Sequence, residues 1–197
     1  TASGAKCRIS EPREQWNREK YNEQLERYAF QEPPQGMGKE EVEGWVLAHN
    51  LLDADFTNFN RWLYNEYMLL NLRVDKKRLP AKLFAATLDK RCTEYAEQHG
   101  LAKVPASKRK EMREALEMEW LKRTLPSVSV TEAVWHIDQG WLLVHSLSEG
   151  VADRFRKRFF QTFGLKLVPW SPLDYCTNSE HVDLLLTKTP STFAEAP

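Results

Sequence analysis

Residues 134–164 read VWHIDQGWLLVHSLSEGVADRFRKRFFQTFG, and the first half of this stretch predicts a β-hairpin. Apolar and polar residues alternate on either side of Gln139 and Gly140, which is typical of two strands joined by a tight turn. With a two-residue loop, one face of the hairpin carries four apolar side chains, Trp135, Ile137, Leu142 and Val144. His136 and His145 then lie on the other face. Because no third ligand stands at a suitable spacing, we interpret them as surface residues and predict no metal site.

The second half of the stretch predicts an amphipathic helix over residues 151–163. Three phenylalanines recur at steps of four residues and form an apolar stripe typical of a helix packed on a core: Phe155, Phe159 and Phe163. Arg154, Lys157 and Arg158 lie roughly opposite and form a basic stripe, which is either a solvated face or a surface for phosphates. Gly164 suits the end of the helix, and LKLV after it predicts a closing strand.

Two further helices are predicted upstream, and together they form an antiparallel helical hairpin. Pro80 suits a helix start because it lacks the N–H that a first turn cannot satisfy. Apolar residues then recur at steps of three and four until Gly100. Ser107 is the predicted cap of the second helix, which extends through Arg123. The second helix has its own apolar face: Met112, Leu116 and Trp120.

The tip of this hairpin, LAKVPASKRK, is unusually basic. Lys108, Arg109 and Lys110 occupy the first turn of the second helix, where the macrodipole disfavours cations. The tip is therefore either a solvated turn or a site whose ligand is anionic. For the second alternative, replacing the three cations with Glu is expected to suit the helix and to weaken the binding of an anion.

The rest of the chain completes an α+β fold. Residues 5–9 predict a strand and residues 17–28 predict a helix. The segment QEPPQGMG then interrupts regular secondary structure. GWVLAHNLLDADF predicts a strand and turn, and residues 60–74 a buried strand with a basic exit, with a helix as the alternative. We therefore predict a mixed or antiparallel sheet with packed helices and a projecting helical hairpin. The predicted parts are the first part of the core (1–79), the hairpin (80–125), the remaining core (126–172) and a short element with a tail (173–197).

Charge is unevenly distributed in a chain that has 28 basic and 28 acidic residues. Five basic residues face one acid between residues 73 and 82, and five again face one acid between residues 150 and 170. Between residues 11 and 66, twelve acids face six bases. This separation suggests one surface that meets a polyanion. No apolar run approaches the roughly 20 residues that span a bilayer, so we expect a cytoplasmic protein.

Catalytic motifs are absent from the sequence. The aspartates do not form the clustered carboxylates that a metal-dependent nuclease needs, since Asp53 and Asp55 lie in a turn, Asp75 stands among bases and Asp138 is at a hairpin turn. The three cysteines, Cys7, Cys92 and Cys176, lie far apart and outside any CxxC spacing, which indicates free or structural thiols. We predict no catalytic residue, no metal and no cofactor.

Three classes of function remain. A sequence-independent DNA-binding protein needs Lys and Arg placed against phosphates and needs no base-reading motif. The alternative is a protein interaction module in which the hairpin docks on a partner; an exonuclease is the third and weakest hypothesis. The candidate DNA-binding residues are Arg73, Lys76, Lys77, Arg78, Lys103, Lys108, Arg109, Lys110, Arg113, Arg154, Lys157 and Arg158.

Several segments in this order resemble the RdgC family of recombination-associated proteins. They are LRVDKKRLPAKLF, SKRKEMREALEMEWLKRTLP, VWHIDQGWLLVHS and RFFQTFGLKLVPWSP, preceded by RYAF and EGWV. The resemblance implies a bacterial, nucleoid-associated protein that binds double-stranded DNA, and single-stranded DNA as a further partner, without sequence preference. It further implies a ring-shaped homodimer around the duplex that restrains a RecA-type recombinase. Family members usually continue beyond the position equivalent to Pro197, so both a fragment and a shortened member remain open.

Overall fold

A seven-stranded antiparallel sheet forms the centre of the part of the chain that the structure describes. The computed structural model describes residues 4–9, 17–33, 41–171, 183 and 187. The strand order is β2-β4-β5-β6-β1-β7, and β3 pairs with the start of β4. The strands are β1 (Ala5–Ile9), β2 (Glu41–Val46), β3 (Leu63–Tyr64), β4 (Tyr67–Lys76), β5 (Ser127–His136), β6 (Trp141–Val144) and β7 (Leu167–Pro169).

Four helices accompany the sheet in the described ranges: α1 (Arg18–Arg27), α2 (Ala81–Gln98), α3 (Ala106–Arg123) and α4 (Glu149–Phe163). A 3-10 turn spans Phe59–Arg61. The predicted α+β class is therefore confirmed, and the strands pair in antiparallel fashion. None of the helices in the described ranges is both long enough and apolar enough to span a bilayer. Cys176 and the predicted element at 182–186 lie outside the described residues, apart from 183.

Strand β4 is a long inner strand that pairs with β2, β3 and β5. It pairs with β5 along its whole length, from Tyr67 opposite His136 to Lys76 opposite Ser127. Met68 and Leu70 are fully buried on one face, as the two-residue period of a strand requires. Residues 60–74 therefore contain the predicted strand, and the helical alternative is wrong.

Helix α4 covers one face of this sheet, which we call the core face. Phe155 and Phe159 are fully buried and Phe163 is 8% exposed, so the predicted apolar stripe is confirmed. Phe159 packs edge-on against Trp135 of β5, with ring centroids 5.2 Å apart. Gly164 ends the helix at a φ of 71°, a left-handed conformation that glycine adopts without strain.

The turn between β5 and β6 differs from the prediction. Trp135 pairs with Leu142 and His136 with Trp141, so the loop has four residues and the two-residue loop is wrong. The apolar face survives because the register shifts by an even number of residues. His136 is only 6% exposed, contrary to its interpretation as a surface residue, because the rings of Tyr67 and Trp141 lie against it.

The helical hairpin has an apolar cluster of its own, separate from the core of the sheet. Leu88, Cys92 and Leu116 are its buried members. The ring of Phe84 packs edge-on against that of Trp120, with ring centroids 5.5 Å apart. Helix α3 begins at Ala106, since the Arg109 amide already donates to the Pro105 carbonyl. The predicted cap at Ser107 is therefore wrong by two residues, and Pro105 holds the cap position without a side-chain hydrogen bond.

Gly44 in the EGWV segment is required by a close backbone approach. The chain after α1 runs beside β2, where the Phe30 amide donates to the Trp45 carbonyl and the Trp45 amide to the Tyr28 carbonyl. A Cβ at Gly44 would lie 2.3 Å from the Phe30 Cα, so any side chain would push the two segments apart. The glycine thus fixes how α1 joins the sheet.

Candidate nucleic-acid interface

Arg73, the first candidate DNA-binding residue along the chain, is buried. It is 6% exposed, and its Nε and Nη2 donate to the Asp75 carboxylate at 2.7 and 2.6 Å. The guanidinium also lies 4.1 Å from the centroid of the Phe30 ring. The hydrogen bonds to Asp75 raise the pKa of Arg73. Arg73, one of the candidate DNA-binding residues, is therefore a buried ion-pair residue of β4.

The three cations that follow lie at the base of the helical hairpin. Lys76 binds Glu41 of β2, with Nζ and Oε2 2.8 Å apart. Lys77 donates to the Leu121 carbonyl at 2.6 Å and so ties the end of α3 to the sheet. Arg78 is exposed and has no ionic partner among the described residues.

The basic stripe of α4 faces acids of β2. Arg154 forms an ion pair with Glu41, and Arg158 donates to the Glu43 carbonyl at 2.9 Å. Hydrogen bonding from Lys76, with the charge of Arg154 close by, lowers the pKa of Glu41. The expected exposed stripe is thus reduced to Lys157, which is exposed and unpaired within the described ranges. The register brings Glu41 and Glu43 onto the core face, where α4 lies.

At the hairpin tip, each of the three consecutive cations has an acidic neighbour. Lys108 forms an ion pair with Glu111, and Arg109 forms one with Asp89 of α2; the nitrogen–oxygen distances are 2.9 and 2.7 Å. The Lys110 Nζ lies 3.9 Å from a carboxylate oxygen of Glu114. Hydrogen bonding to Glu111 raises the pKa of Lys108. Lys103 in the tip and Arg113 further along α3 are exposed candidate residues for which the described residues supply no ionic partner.

Three cations outside the candidate set lie at the hairpin base: Lys82, Lys122 and Arg123. Lys82 is in the first turn of α2 and Lys122 in the last turn of α3; both are exposed and have no ionic partner within the described part of the chain. The contact between Lys77 and Leu121 brings these chain ends together. We call the resulting group the hairpin-base cluster: Lys77, Arg78, Lys82, Lys122 and Arg123. The run LKR at the end of α3 was the signal that the sequence offered for it.

The hairpin-base cluster carries nearly uncompensated positive charge. Glu119 is the acid closest to it in α3, lying 3.8 Å from Arg123 and 2.9 Å from Arg91. Hydrogen bonding from Arg91 lowers the pKa of Glu119, so this single carboxylate is shared between two arginines. Exposed cations in such a group are suited to contacts with phosphate oxygens.

The described residues offer no comparable site for metal chemistry. They contain no group of three or more His, Cys, Asp or Glu side chains placed to hold a metal ion. Asp53 and Asp55 both pair with Arg61. Backbone hydrogen bonding from Asp55 lowers the pKa of Asp53, and hydrogen bonding from Thr57 lowers that of Asp55. These carboxylates stabilise a turn.

The sequence of the chain is similar to that of one family of proteins. The family described as "Putative exonuclease, RdgC" matches residues 8–183. A protein named recombination-associated protein RdgC from Burkholderia ambifaria (strain MC40-6) is 28% identical over 138 residues, which cover 62% of this chain and 44% of that protein. A protein of the same name from Cupriavidus pinatubonensis (strain JMP 134 / LMG 1197) is 35% identical over 96 residues. These residues cover 48% of this chain and 31% of that protein.

These matched regions span less than half the length of the relatives. The family match itself extends over most of the chain, from β1 past β7, and so includes the sheet, α4 and the helical hairpin. The family that the sequence segments indicated is confirmed by this match. The chain belongs to the RdgC family, whose named relatives are recombination-associated proteins.

Proposed function

We propose that this chain binds duplex DNA without reading its sequence and thereby restrains a RecA-type recombinase. The hairpin-base cluster is the observation that carries this proposal. It gathers five cations at the junction of α2, α3 and β4, where Glu119 is the nearby acid. Cations on exposed side chains bind phosphates by releasing condensed counterions, and this contribution does not depend on base sequence.

The intramolecular ion pairs decide which cations belong to the proposed surface. Arg73, Arg154 and Arg158 are held by acids or carbonyls of the sheet, so they position β4 and α4. Arg78, Lys82 and Lys122 keep their side chains exposed at one end of the hairpin. Lys103, Arg113 and Lys157 extend the surface towards the tip and α4. The net charge of zero is compatible with this proposal because the neutralised cations and the exposed ones occupy different places.

Restraint of a recombinase follows from competition for the same polymer. A protein that covers phosphates without sequence preference occludes DNA on which a recombinase filament would assemble or search for homology. A homodimer would place two hairpin-base clusters on one duplex and raise the effective concentration of the second cluster. We therefore include a homodimer around the duplex, association with the nucleoid and a cytoplasmic location in the proposal.

The proposed activity is binding without strand cleavage. Nuclease chemistry usually requires carboxylates that hold one or two metal ions near the scissile phosphate. In the described ranges, Asp53 and Asp55 stand two residues apart, and both are engaged by Arg61. Their role is to stabilise the turn that leads into β3.

The test is duplex binding by an Arg78→Ala and Lys122→Ala double variant. We expect lower affinity by the same factor on two unrelated duplexes, with a salt slope smaller by about 0.9 for each phosphate that the variant no longer neutralises. A matched control, Lys20→Ala with Lys90→Ala, removes the same charge from α1 and from the middle of α2 and should bind almost as the unmodified protein does.

Equal affinity of the double variant and the unmodified protein would overturn the proposal and favour the protein interaction module. Equally weakened binding in the double variant and in its control would also overturn it, because that result would indicate a response to net charge alone. Melting temperatures of all three proteins show whether any weakening reflects unfolding.

A further inference from the structure

Two short linkers join the helical hairpin to the sheet. Residues 77–80 run from β4 to α2, and residues 124–126 run from α3 to β5. They leave the sheet side by side, because Lys76 and Ser127 are paired at the ends of β4 and β5. We call these two segments the hairpin linkers. The hairpin has its own buried cluster, separate from the core of the sheet, so its orientation depends on the contacts made near the linkers.

A polar contact at the linkers joins the hairpin to the sheet. The Lys77 Nζ donates to the Leu121 carbonyl at 2.6 Å; Lys77 directly follows β4, and Leu121 lies in the last turn of α3. Lys77 is half-buried, and Leu121 is only 5% exposed. Among the described residues, no other hydrogen bond or ion pair connects α2 or α3 with the sheet, α1 or α4. This contact is therefore the polar link that relates the two parts.

The end of α3 explains why the Leu121 carbonyl needs a partner. In a longer helix this carbonyl would accept from the amide of Leu125. The helix ends earlier, because Thr124 is extended and both its amide and its hydroxyl donate to the Trp120 carbonyl, at 2.9 and 2.8 Å. A carbonyl in the last turn is thus left for a donor outside the helix, and the negative end of the macrodipole favours a cation there. Lys77 supplies that cation from the end of β4.

The exposed cations of the proposed duplex surface lie on both sides of the hairpin linkers. Arg78 is in the first linker and Lys157 is in α4, whereas Lys82 and Lys122 belong to the helices of the hairpin. A rotation of the hairpin about the linkers would change the distances between these two groups. The phosphates of a duplex have a regular spacing, so cations that are already held in place bind them without the cost of ordering the hairpin.

We infer that Lys77 is a positioning residue. Its contact with Leu121 holds the hairpin in one orientation to the sheet, so that the cations on both sides of the linkers meet the same duplex. Because its ammonium group already binds a carbonyl, Lys77 acts through Arg78, Lys82 and Lys122 more than through a phosphate contact of its own. The effect on DNA rests on the proposed function, whereas the effect on the orientation of the hairpin does not.

The first experiment measures the orientation without DNA, from residual dipolar couplings of the backbone amides in the full chain. In the unmodified protein, we expect the couplings of α2 and α3 to fit the same alignment tensor as those of β4 and β5. In Lys77→Met, which keeps most of the apolar stem, the hairpin should need a separate tensor of smaller magnitude. Lys77→Arg should restore a single tensor. Lys82→Met is the matched control, since it removes the same charge from the hairpin-base cluster and should keep a single tensor.

The second experiment measures duplex affinity in the same variants. We expect Lys77→Met to bind about 3- to 10-fold more weakly and Lys77→Arg to bind within about twofold of the unmodified protein. Adding Lys77→Met to the Arg78→Ala and Lys122→Ala variant should weaken binding by a further factor of about two or less. A positioning residue has little effect once the cations that it positions are absent, whereas independent phosphate contacts give losses that multiply.

The outcomes separate this inference from the proposed function. A single tensor with an unchanged orientation in Lys77→Met would overturn the inference, and so would multiplying losses in the combined variant. Amide shifts typical of an unfolded segment in α2 and α3 of Lys77→Met would also overturn it, because the contact would then maintain the helices themselves. Unchanged duplex affinity in the Arg78→Ala and Lys122→Ala variant would overturn the proposed function, while a separate tensor in Lys77→Met would still support the role of Lys77 in orienting the hairpin.

Discussion

The sheet core and the helical hairpin bury apolar residues in different ways. In the described residues, the core joins twenty buried side chains from the seven strands, from α1, from α4 and from the segments between them, whereas the hairpin cluster has three. The core also contains long-range polar contacts, such as the 2.8 Å hydrogen bond from Trp45 Nε1 to Thr162 Oγ1 across 117 residues. The hairpin is closed by contacts between two consecutive helices. Its opening should therefore require less free energy than global unfolding.

The ion pairs of the sheet core and of the helical hairpin differ in how far their side chains are exposed to solvent. Arg73 and Asp75 are less than a tenth exposed, so removing either one would leave a charge inside the protein. The pairs of the hairpin are exposed; for example, the side chains of Arg109 and Asp89 are 52% and 63% exposed. Exposed pairs contribute little to stability. The charges of the hairpin can therefore serve binding at little cost to the fold, while the buried pair of the sheet is needed for stability.

The largest effect is expected for Phe159→Ala in the sheet core. This ring is fully buried between Trp135, Phe155 and Phe163, and its removal leaves a cavity that β5 and α4 cannot close. We expect the free energy of unfolding to fall by about 3 to 5 kcal/mol, measured by denaturant titration. The neighbouring Phe160 is 53% exposed, so Phe160→Ala should change stability by about 0.5 kcal/mol or less. Similar destabilisation in the two variants would contradict the assignment of the core face.

A smaller and local effect is expected for Leu116→Ala in the hairpin. Leu116 is fully buried against Leu88 and Cys92, and its truncation should cost about 2 to 3 kcal/mol. Hydrogen exchange should then become faster in α2 and α3 and change little in β4 and β5. Met118→Ala is the control, since Met118 is 60% exposed on the same helix. Equal acceleration in the sheet would show that hairpin and core unfold as one unit.

Local patterns made most of the fold predictable from the sequence. The apolar steps of α2, α3 and α4 and the long apolar strand β4 are each visible within one segment, and all four elements are present. Boundaries were less predictable. Ser107 has the chemistry of a cap, yet α3 begins after Pro105, because a proline that fixes its own φ can precede a first turn without a side-chain cap.

The candidate site was less predictable because its cations find partners far away in the sequence. Arg154 and Arg158 bind residues of β2 that lie 113 and 115 residues earlier. No helical period or charge count indicates such contacts; they depend on the register of β2 beside β4 and on the position of α4. The cluster at the hairpin base was partly predictable, since Lys77 and Arg78 were among the candidate residues while Lys82, Lys122 and Arg123 were not.

The smallest effect is expected for charge reversal at the hairpin tip, where the structure changes the sign of the prediction. From the sequence, Glu at positions 108, 109 and 110 should suit the helix dipole and raise the melting temperature. The structure places Glu111, Asp89 and Glu114 beside these three positions, so each new carboxylate would face a like charge. Because exposed pairs contribute little, we expect the melting temperature of the triple variant to fall by only about 1 to 3 °C.

A double swap isolates the contact between the two helices at the tip. Arg109→Glu alone should lower the melting temperature, and adding Asp89→Arg should restore part of it, since the pair is then re-formed with its charges exchanged. A rise in the triple variant would contradict the pairing and return the tip to the helix-dipole explanation. Duplex affinity should fall less in the triple variant than after Arg78→Ala with Lys122→Ala, because the tip cations already have acidic partners whereas those two at the base have none among the described residues. The tip therefore tests whether binding depends on the number of cations or on which of them remain uncompensated.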